Sequence, residues 1–367
     1  MKFRFLLPLL LVACATFAQD VPTADETARF LAGLPVSGPL AALMETSAWQ
    51  EHARALEDAW AKKESRQIGP IRDWMLANAP EYFHSSNTAY YMFGGPDFLY
   101  ANVFFPSAST YILAGLEPVG QVPDLTRMPP AMVEPELAAL RASMNSILRF
   151  QYFITKDMRA ELGRQNVGGT LPILYVFLAR LGYNIVDVAR VTSPADGVKI
   201  DFTDGESRQT LYYFKTDLSG GGNSAFLKWC AARGPGLSLL KAASYLMHTD
   251  GFGGVRNFLL EHSKVIVQDD SGIPLRGFPK NWRVQTFGRY VPHGDEFAKY
   301  NQPDLAAICA DNPELGFPFG YHWQKNRGLL MLATPGGGGD QQRALPPVMK
   351  ALPVEPEQQA QKPRVRE

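Results

Sequence analysis

One stretch of this chain is apolar on nearly every side of a helix. It runs from Leu171 to Leu181, after Gly168-Gly169 and a capping Thr170, and it ends at Gly182. A helix without a polar face is buried on most sides. The stretch is too short to cross a bilayer, for which about 20 residues are needed. It therefore predicts a globular protein that surrounds this helix.

The elements around that helix are of both kinds. Residues 22–80 have the spacing of amphipathic helices, strands and helices then mix, a helix is predicted at 237–248, and a strand is predicted at 318–323. Because the order is not a regular βαβ alternation, we predict an α+β fold with a helical amino-terminal region, a mixed sheet with packed helices and a strand-rich carboxyl-terminal part. The globular region would span 22–334, in which 22–80 can form a helical subdomain.

The amino terminus has the pattern of a bacterial export signal, because two basic residues precede a short apolar run from Phe5 to Ala13. Cleavage after Ala18 would remove a signal peptide of residues 1–18. The sequence before Cys14 also resembles a lipoprotein signal, in which residues 1–13 are removed and Cys14 receives lipid. We expect an exported protein, in the periplasm, at the outer membrane or secreted, with membrane attachment only through lipid on Cys14.

The charge balance excludes one class of partner. The chain has 36 basic and 36 acidic residues, and no run of Lys and Arg forms the basic surface that nucleic acid binding requires. We therefore expect no nucleic acid partner. Residues 335–367 are rich in Pro and Gln and have few large apolar side chains, so we predict that this tail is disordered.

The first candidate site is a turn between a strand-like run and a predicted helix. Gly94-Gly95-Pro96 ends the run, and Asp97 is placed to cap the helix. Such a turn can bind an anion at a helix N-terminus. The glycine patterns of phosphate loops and dinucleotide sites are missing, so a tight turn with an Asp cap is the favoured interpretation. Asp97 remains a catalytic candidate and Tyr100 a ligand-binding candidate.

The second candidate is the acidic turn at Asp269-Asp270-Ser271. Two adjacent carboxylates can serve as a general base or metal ligands, but calcium loops space their carboxylates at alternate positions. We therefore predict no metal site, and a polar turn is favoured. His248 or His262 could join either carboxylate and Ser271 in a nucleophilic triad, which would make all five residues catalytic candidates. The Gly-x-Ser-x-Gly elbow is missing, so a triad is not favoured.

The carboxyl-terminal part offers weaker candidates. Arg289 and Tyr290 lie in an aromatic, glycine-rich stretch that could line a ligand groove, although a packed β core is favoured. Cys230 and Cys309 could form a disulfide in an oxidising compartment, or remain separate buried thiols. No Cys and His spacing suggests zinc, and the sequence indicates no cofactor.

Three stretches of the chain, at residues 95–101, 115–120 and 269–274, are similar to a group of exported bacterial proteins known only as uncharacterised. The resemblance would cover most of residues 90–333, and it implies no activity, substrate or catalytic residue. We expect an exported envelope protein with a binding or structural role. An exported hydrolase with an Asp/His pocket is one alternative, and an adaptor that binds a partner through its tail is another.

Overall fold

The structure is a computed structural model that describes residues 21–150, 167–220, 223–294, 297–321 and 328–336. Within these ranges the fold is α+β, as predicted. No helix in them is long and apolar enough to cross a membrane. The predicted export signal with Cys14, and the predicted tail beyond residue 336, lie outside the described residues.

The amino-terminal region is helical, as its spacing predicts. Thr23 starts the first helix with a reciprocal capping box, because its hydroxyl accepts from the Glu26 N–H and its own N–H donates to the Glu26 carboxylate.

The α-helices described along the whole chain are α1 (Ala24–Leu31), α2 (Ala41–Met44), α3 (Ser47–Lys63), α4 (Gly69–Asn78), α5 (Pro80–Phe83), α6 (Phe98–Phe104), α7 (Pro130–Phe150), α8 (Leu171–Arg180), α9 (Ser224–Ala231), α10 (Gly253–His262) and α11 (Pro303–Ile308).

The described strands form one mixed sheet. They are β1 (Thr88–Tyr91), β2 (Thr110–Gly115), β3 (Asn184–Val191), β4 (Gly197–Thr203), β5 (Arg208–Lys215), β6 (Gly236–Leu240), β7 (Ser263–Gln268), β8 (Trp282–Gly288) and β9 (Leu329–Pro335). Their order is β3-β4-β5-β2-β1-β6-β7-β9-β8. The five central strands, from β5 to β7 in that order, are all parallel. Antiparallel strands extend the sheet on both sides.

Helices cover both faces of this sheet, because neighbouring strand residues point to opposite faces and are apolar on both. Tyr91 belongs to the larger core with α6 and α8, whereas Tyr90 belongs to the second core with α9 and α10. The chain crosses one face, through α6, between β1 and β2, and the other face, through α9, between β5 and β6. Strands β1 and β6 therefore meet at a topological switch point.

The apolar helix that constrains the fold is α8, and its burial confirms the sequence interpretation. Every residue from Leu171 to Ala179 is buried. Its contacts are mainly with α1, and it also packs on α6 and β3. Helices lie on one side of it and the sheet on the other, which is why it needs no polar face.

Two secondary-structure predictions are wrong. The predicted helix at 237–248 is strand β6, followed by a loop and a 3₁₀ turn at Leu246–His248. A short apolar run fits a buried strand as well as a helix, and pairing with β1 and β7 decides between them. The described part of the predicted strand at 318–323 is not a strand, and Phe319 packs in the larger core instead.

Candidate functional site

Charged side chains gather where the central strands end. Asp97 follows β1, Glu117 follows β2, Lys241 follows β6, and Asp269 and Asp270 follow β7. Each of them is at most 3% exposed. Because parallel strands end on the same side, all five residues lie at one edge of the sheet, which we call the carboxyl edge. In open α/β sheets the ligand crevice lies at this edge, at the switch point.

Asp97 caps helix α6, as its sequence context predicts. Its Oδ1 accepts from the Tyr100 N–H at 3.1 Å, and its Oδ2 accepts from the Tyr91 hydroxyl at 3.1 Å. The Lys241 ammonium lies 3.4 Å from Oδ2 and forms a buried ion pair with it. Burial raises the pKa of the Asp97 carboxyl, against the effects of Lys241 and the donated hydrogen bonds. The first turn of α6 therefore already has a carboxylate of the protein beside it.

Two buried lysines approach the Tyr100 ring. Lys241 Nζ lies 3.9 Å from the ring centroid, and Lys63 Nζ lies 5.7 Å from it. Lys63 also donates to Gln67 Oε1 at 2.7 Å and to the Ile147 carbonyl at 2.9 Å. Burial, followed by the charge of Lys241, lowers the pKa of Lys63 to about 7. The Lys63 amine, at the end of the amphipathic helix α3, is thus buried beside the carboxyl edge.

The Asp269 carboxylate holds the loops after β6 and β7 together. Its Oδ1 accepts from the Ser271 N–H at 3.1 Å and from the Ser271 hydroxyl at 2.5 Å, and its Oδ2 accepts from the Ala242 N–H at 3.1 Å. Burial, followed by the adjacent carboxylate, raises the pKa of Asp269 to about 7. Burial lowers the pKa of Lys241, against the opposing effects of the charges of Asp97 and Asp269. Asp97 and the acidic turn therefore converge on one ammonium group.

Asp270 belongs to a second polar cluster beside the first. Its Oδ2 accepts from the Tyr245 hydroxyl at 2.7 Å, and His293 Nε2 lies 3.4 Å from the same oxygen and also contacts that hydroxyl. Burial, followed by the charge of Asp270, raises the pKa of Tyr245, so its phenol remains a hydrogen-bond donor at neutral pH. His248 packs edge-on against the Tyr245 ring at 5.3 Å, and burial lowers its pKa.

The loop after β6 has an unusual backbone. Ala242, Ser244 and Tyr245 have φ values of 52°, 54° and 58°, and they are the described non-glycine residues with positive φ. This left-handed conformation costs about 1–2 kcal/mol for each residue that has a Cβ. Such strain persists where the surroundings hold it in place, and it is concentrated at functional sites.

Glu117 lies over the glycine turn that follows β1. Gly95 has a φ of 55°, and a Cβ added there would lie 3.2 Å from Glu117 Oε2. A Cβ on Gly94 would overlap the Tyr91 ring. The Tyr213 hydroxyl donates to the Glu117 main-chain carbonyl at 2.8 Å and lies 3.4 Å from the carboxylate. The turn therefore needs glycine, and the carboxylate keeps further acceptor capacity beside it.

The triad considered from the sequence is not assembled. Among the described residues, Ser271 bonds to Asp269 and to the Ala243 N–H, and to no histidine. His262 ends α10 at the start of β7, whereas Asp269 follows the last residue of that strand. Six strand residues at about 3.3 Å each separate them by about 20 Å. His262 instead stacks on Phe258 at the opposite edge of the sheet.

The two candidates after β8 lie beside the second cluster. The Tyr290 hydroxyl donates to Asn301 Oδ1 at 3.3 Å, and the same amide oxygen accepts from the His293 N–H at 2.7 Å. Arg289 is exposed, and its Nε donates to the Asn312 carbonyl at 3.3 Å. Tyr290 thus supports the segment that holds His293, whereas Arg289 points to the surface.

The cysteines are separate buried thiols rather than a disulfide. Cys230 packs in the second core with α9, and Cys309 packs in a small cluster beside β9. Burial raises the pKa of Cys230 to about 12 and that of Cys309 to about 11. Neither thiol is therefore ionised at neutral pH.

Sequence reasoning selected Asp97, Tyr100 and the acidic turn, but it missed much of the site. Lys241 and Tyr245 lie in the predicted helix at 237–248, so the sequence did not indicate that they follow a central strand. Lys63 occupies the last turn of α3, where a lysine is ordinarily solvated. The position of Glu117 is a signal that could have identified it. An acidic residue stands there just after the second strand of a unit made of a strand, a glycine turn, a helix and a second strand.

Within the described ranges, no group of three or more His, Cys, Asp and Glu residues is arranged to hold a metal ion. Comparisons with family models, with curated proteins and with solved structures find no match for this chain.

Proposed function

We propose that this protein binds a ribonucleoside or a small molecule that contains one, at the switch point between β1 and β6 at the carboxyl edge. One observation carries the proposal: the Glu117 carboxylate, at the end of β2, lies over the Gly94-Gly95 turn at the end of β1. In doubly wound sheets, glycine at this turn lets a ligand approach the backbone, and an acidic residue about 20 positions later accepts the ribose hydroxyls. Glu117 follows Gly95 by 22 positions.

The same edge disfavours a phosphate group on the ligand. In dinucleotide sites the pyrophosphate lies at the N-terminus of the first helix. Here the Asp97 carboxylate occupies that position. The described part of the edge has carboxylates at four positions and ammonium groups at two, Lys63 and Lys241. We therefore propose a nucleoside whose 5′ substituent is neutral or cationic.

The proposal agrees with the binding role expected from the sequence, and the alternative of a hydrolase with an Asp/His pocket stays a prediction. We also propose export, which rests on the amino-terminal sequence alone. The adaptor role concerns residues 335–367 and stays a prediction.

Isothermal titration calorimetry with the full chain tests the nucleoside site. The four common ribonucleosides, AMP and the sulfonium nucleoside S-adenosylmethionine are the probes. We expect at least one unphosphorylated nucleoside to bind, and AMP to bind more weakly than adenosine. Glu117→Gln should weaken that binding roughly ten- to a hundredfold, since hydrogen bonds to a charged acceptor contribute about 1.5–3 kcal/mol.

The matched control is Glu206→Gln, in the exposed turn between β4 and β5, which should leave the affinity unchanged. Equal affinity of the Glu117→Gln variant and the wild-type protein would contradict the assignment of the ribose contact. Absence of binding by every nucleoside would contradict the proposed function itself.

A further inference from the structure

A short segment of the chain contacts the charged groups of the carboxyl edge: it includes Lys241, which pairs with Asp97, and its Ala242 N–H donates to Asp269. Residues 241–245, which we call the strap, follow β6 at the switch point. Ser244 is exposed, whereas Lys241 is 2% exposed and Tyr245 is fully buried. Glu117 and Asp97 are 3% and 1% exposed. A ligand the size of a nucleoside can reach these carboxylates only if a segment of the chain moves.

Side chains of neighbouring loops hold the strap in place. Its Ala242 N–H donates to the Asp269 carboxylate at 3.1 Å, and its Ala243 N–H donates to the Ser271 hydroxyl at 2.7 Å. On its outer side the Tyr321 hydroxyl donates to the Ala242 carbonyl at 3.1 Å and lies 2.6 Å from the hydroxyl of Ser244. Water can replace each of these bonds when the strap moves outward.

The strap also differs from the rest of the described chain in its conformation. Three of its five residues, Ala242, Ser244 and Tyr245, are left-handed although none is glycine. The closed position therefore carries a cost that an outward movement would release.

We propose that residues 242–244, the middle of the strap, close this part of the carboxyl edge in the ligand-free protein and swing outward to admit the ligand, while Lys241 keeps its ion pair with Asp97 and Tyr245 keeps its hydrogen bond to Asp270. This inference rests on the proposed nucleoside site. Because only molecules with an open strap can bind the ligand, the measured affinity depends on the fraction of molecules in which the strap is open. A change that stabilises the closed strap must weaken binding, and a change that removes an anchor must strengthen it.

Hydrogen exchange of the full chain, followed by mass spectrometry, tests the movement without a ligand. The amides of Ala242 and Ala243 should exchange faster than those of β6, through local opening. Ala242→Gly relieves the left-handed strain of the closed strap and should slow their exchange roughly fivefold. Ala243→Gly is the matched control, because Ala243 is not left-handed and its buried methyl group packs in the closed strap, and it should speed the exchange.

Calorimetry then tests the coupling to binding. Ala242→Gly should weaken nucleoside binding roughly fivefold, and Tyr321→Phe, which removes two strap contacts, should strengthen it. The proposal is overturned if the strap amides exchange only with global unfolding, or if the two variants shift the affinity in the same direction. If no nucleoside binds at all, the proposed function fails, and the exchange experiment still decides whether the strap opens.

Discussion

The two ends of the five parallel strands differ in how many charged side chains are buried there. At the carboxyl edge charged residues are buried, and Asp97 and Lys241 form an ion pair. At the amino edge, buried neutral groups bond to one another or to main-chain carbonyls: Gln209 donates to the carbonyls of Pro106 and Ala108, and the Ser263 hydroxyl lies 2.7 Å from that of a serine in β6. The buried carboxylate at this edge, Asp201 of β4, pairs with two partly or fully exposed basic residues, Lys199 and Arg208. Lys264, near that edge, is exposed. Both ends have the same strands and the same cores, so the fold alone does not require buried charge.

This difference indicates which end serves a purpose other than stability. Burying an ion costs several kcal/mol, and a well-packed apolar pair is often as stable or more stable. Strained backbone is confined to the carboxyl edge among the described non-glycine residues. Perturbed pKa values and strain together are typical of functional sites. We therefore propose that the function lies at the carboxyl edge.

The largest expected effect comes from breaking the ion pair of the carboxyl edge. Asp97→Asn keeps a capping oxygen but leaves Lys241 without its closest counter-ion, so it should lower the free energy of unfolding by about 3–5 kcal/mol. Asp201→Asn is the control, because Asp201 pairs with partly exposed Lys199 and Arg208, and it should cost about 1 kcal/mol or less. Urea denaturation at pH 7 measures both.

A second variant tests whether the Asp97→Asn effect is electrostatic. Adding Lys241→Met to Asp97→Asn removes the ammonium group that has lost its closest counter-ion and should restore part of the lost stability. If the double variant is as unstable as the sum of the two single variants, the buried pair is not coupled and the comparison of the two edges loses its basis.

A smaller effect is expected from crowding the Asp269 carboxylate. Gly320 has a φ of 68°, and a Cβ added there would lie 2.3 Å from Asp269 Oδ2. Gly320→Ala should therefore cost about 3 kcal/mol in thermal or urea unfolding, from strain and displaced hydrogen bonds together. At Gly182, φ is 88° and the space is open, so Gly182→Ala should cost only about 1 kcal/mol. Equal costs would show that the carboxylate has room to move.

The smallest effect is a pH dependence that only the carboxyl edge produces. The pKa of Lys63 is about 7 in the folded protein and about 10.5 in an unfolded chain, so the unfolded state binds more protons between these values. Stability from this group therefore rises with pH, by about 2 kcal/mol between pH 7 and pH 9. Lys63→Met should remove that rise in urea unfolding measured at both pH values.

His52 supplies the control for this pH dependence. Burial lowers its pKa to about 4 from about 6.5, so its contribution to stability rises with pH between those values and is constant above pH 7. His52→Gln should therefore keep the rise between pH 7 and pH 9. A rise that survives Lys63→Met would show that another group causes it.

The site residues that the sequence identified are those recognised from their immediate neighbours in the chain. Asp97 was found because a glycine turn and an N-cap are read from adjacent residues, and the acidic turn because it follows a strand-like run. Strand β6 was missed because a stretch of five residues with three leucines has no clear period of its own, and its parallel neighbours lie about 150 residues earlier in the chain and about 25 later. Lys63 was missed because burial of its ammonium depends on α7, α6 and β6 together.

The ribose contact is the central claim, and one calorimetric comparison tests it most directly. The nucleoside that binds best is titrated into the full chain beside its 2′,3′-dideoxy analogue, which keeps the base and loses both hydroxyls that Glu117 is proposed to accept. We predict that the dideoxy compound binds at least about a hundredfold more weakly, because a buried acceptor left unpaired costs several kcal/mol. Equal affinity for the two compounds would contradict the account.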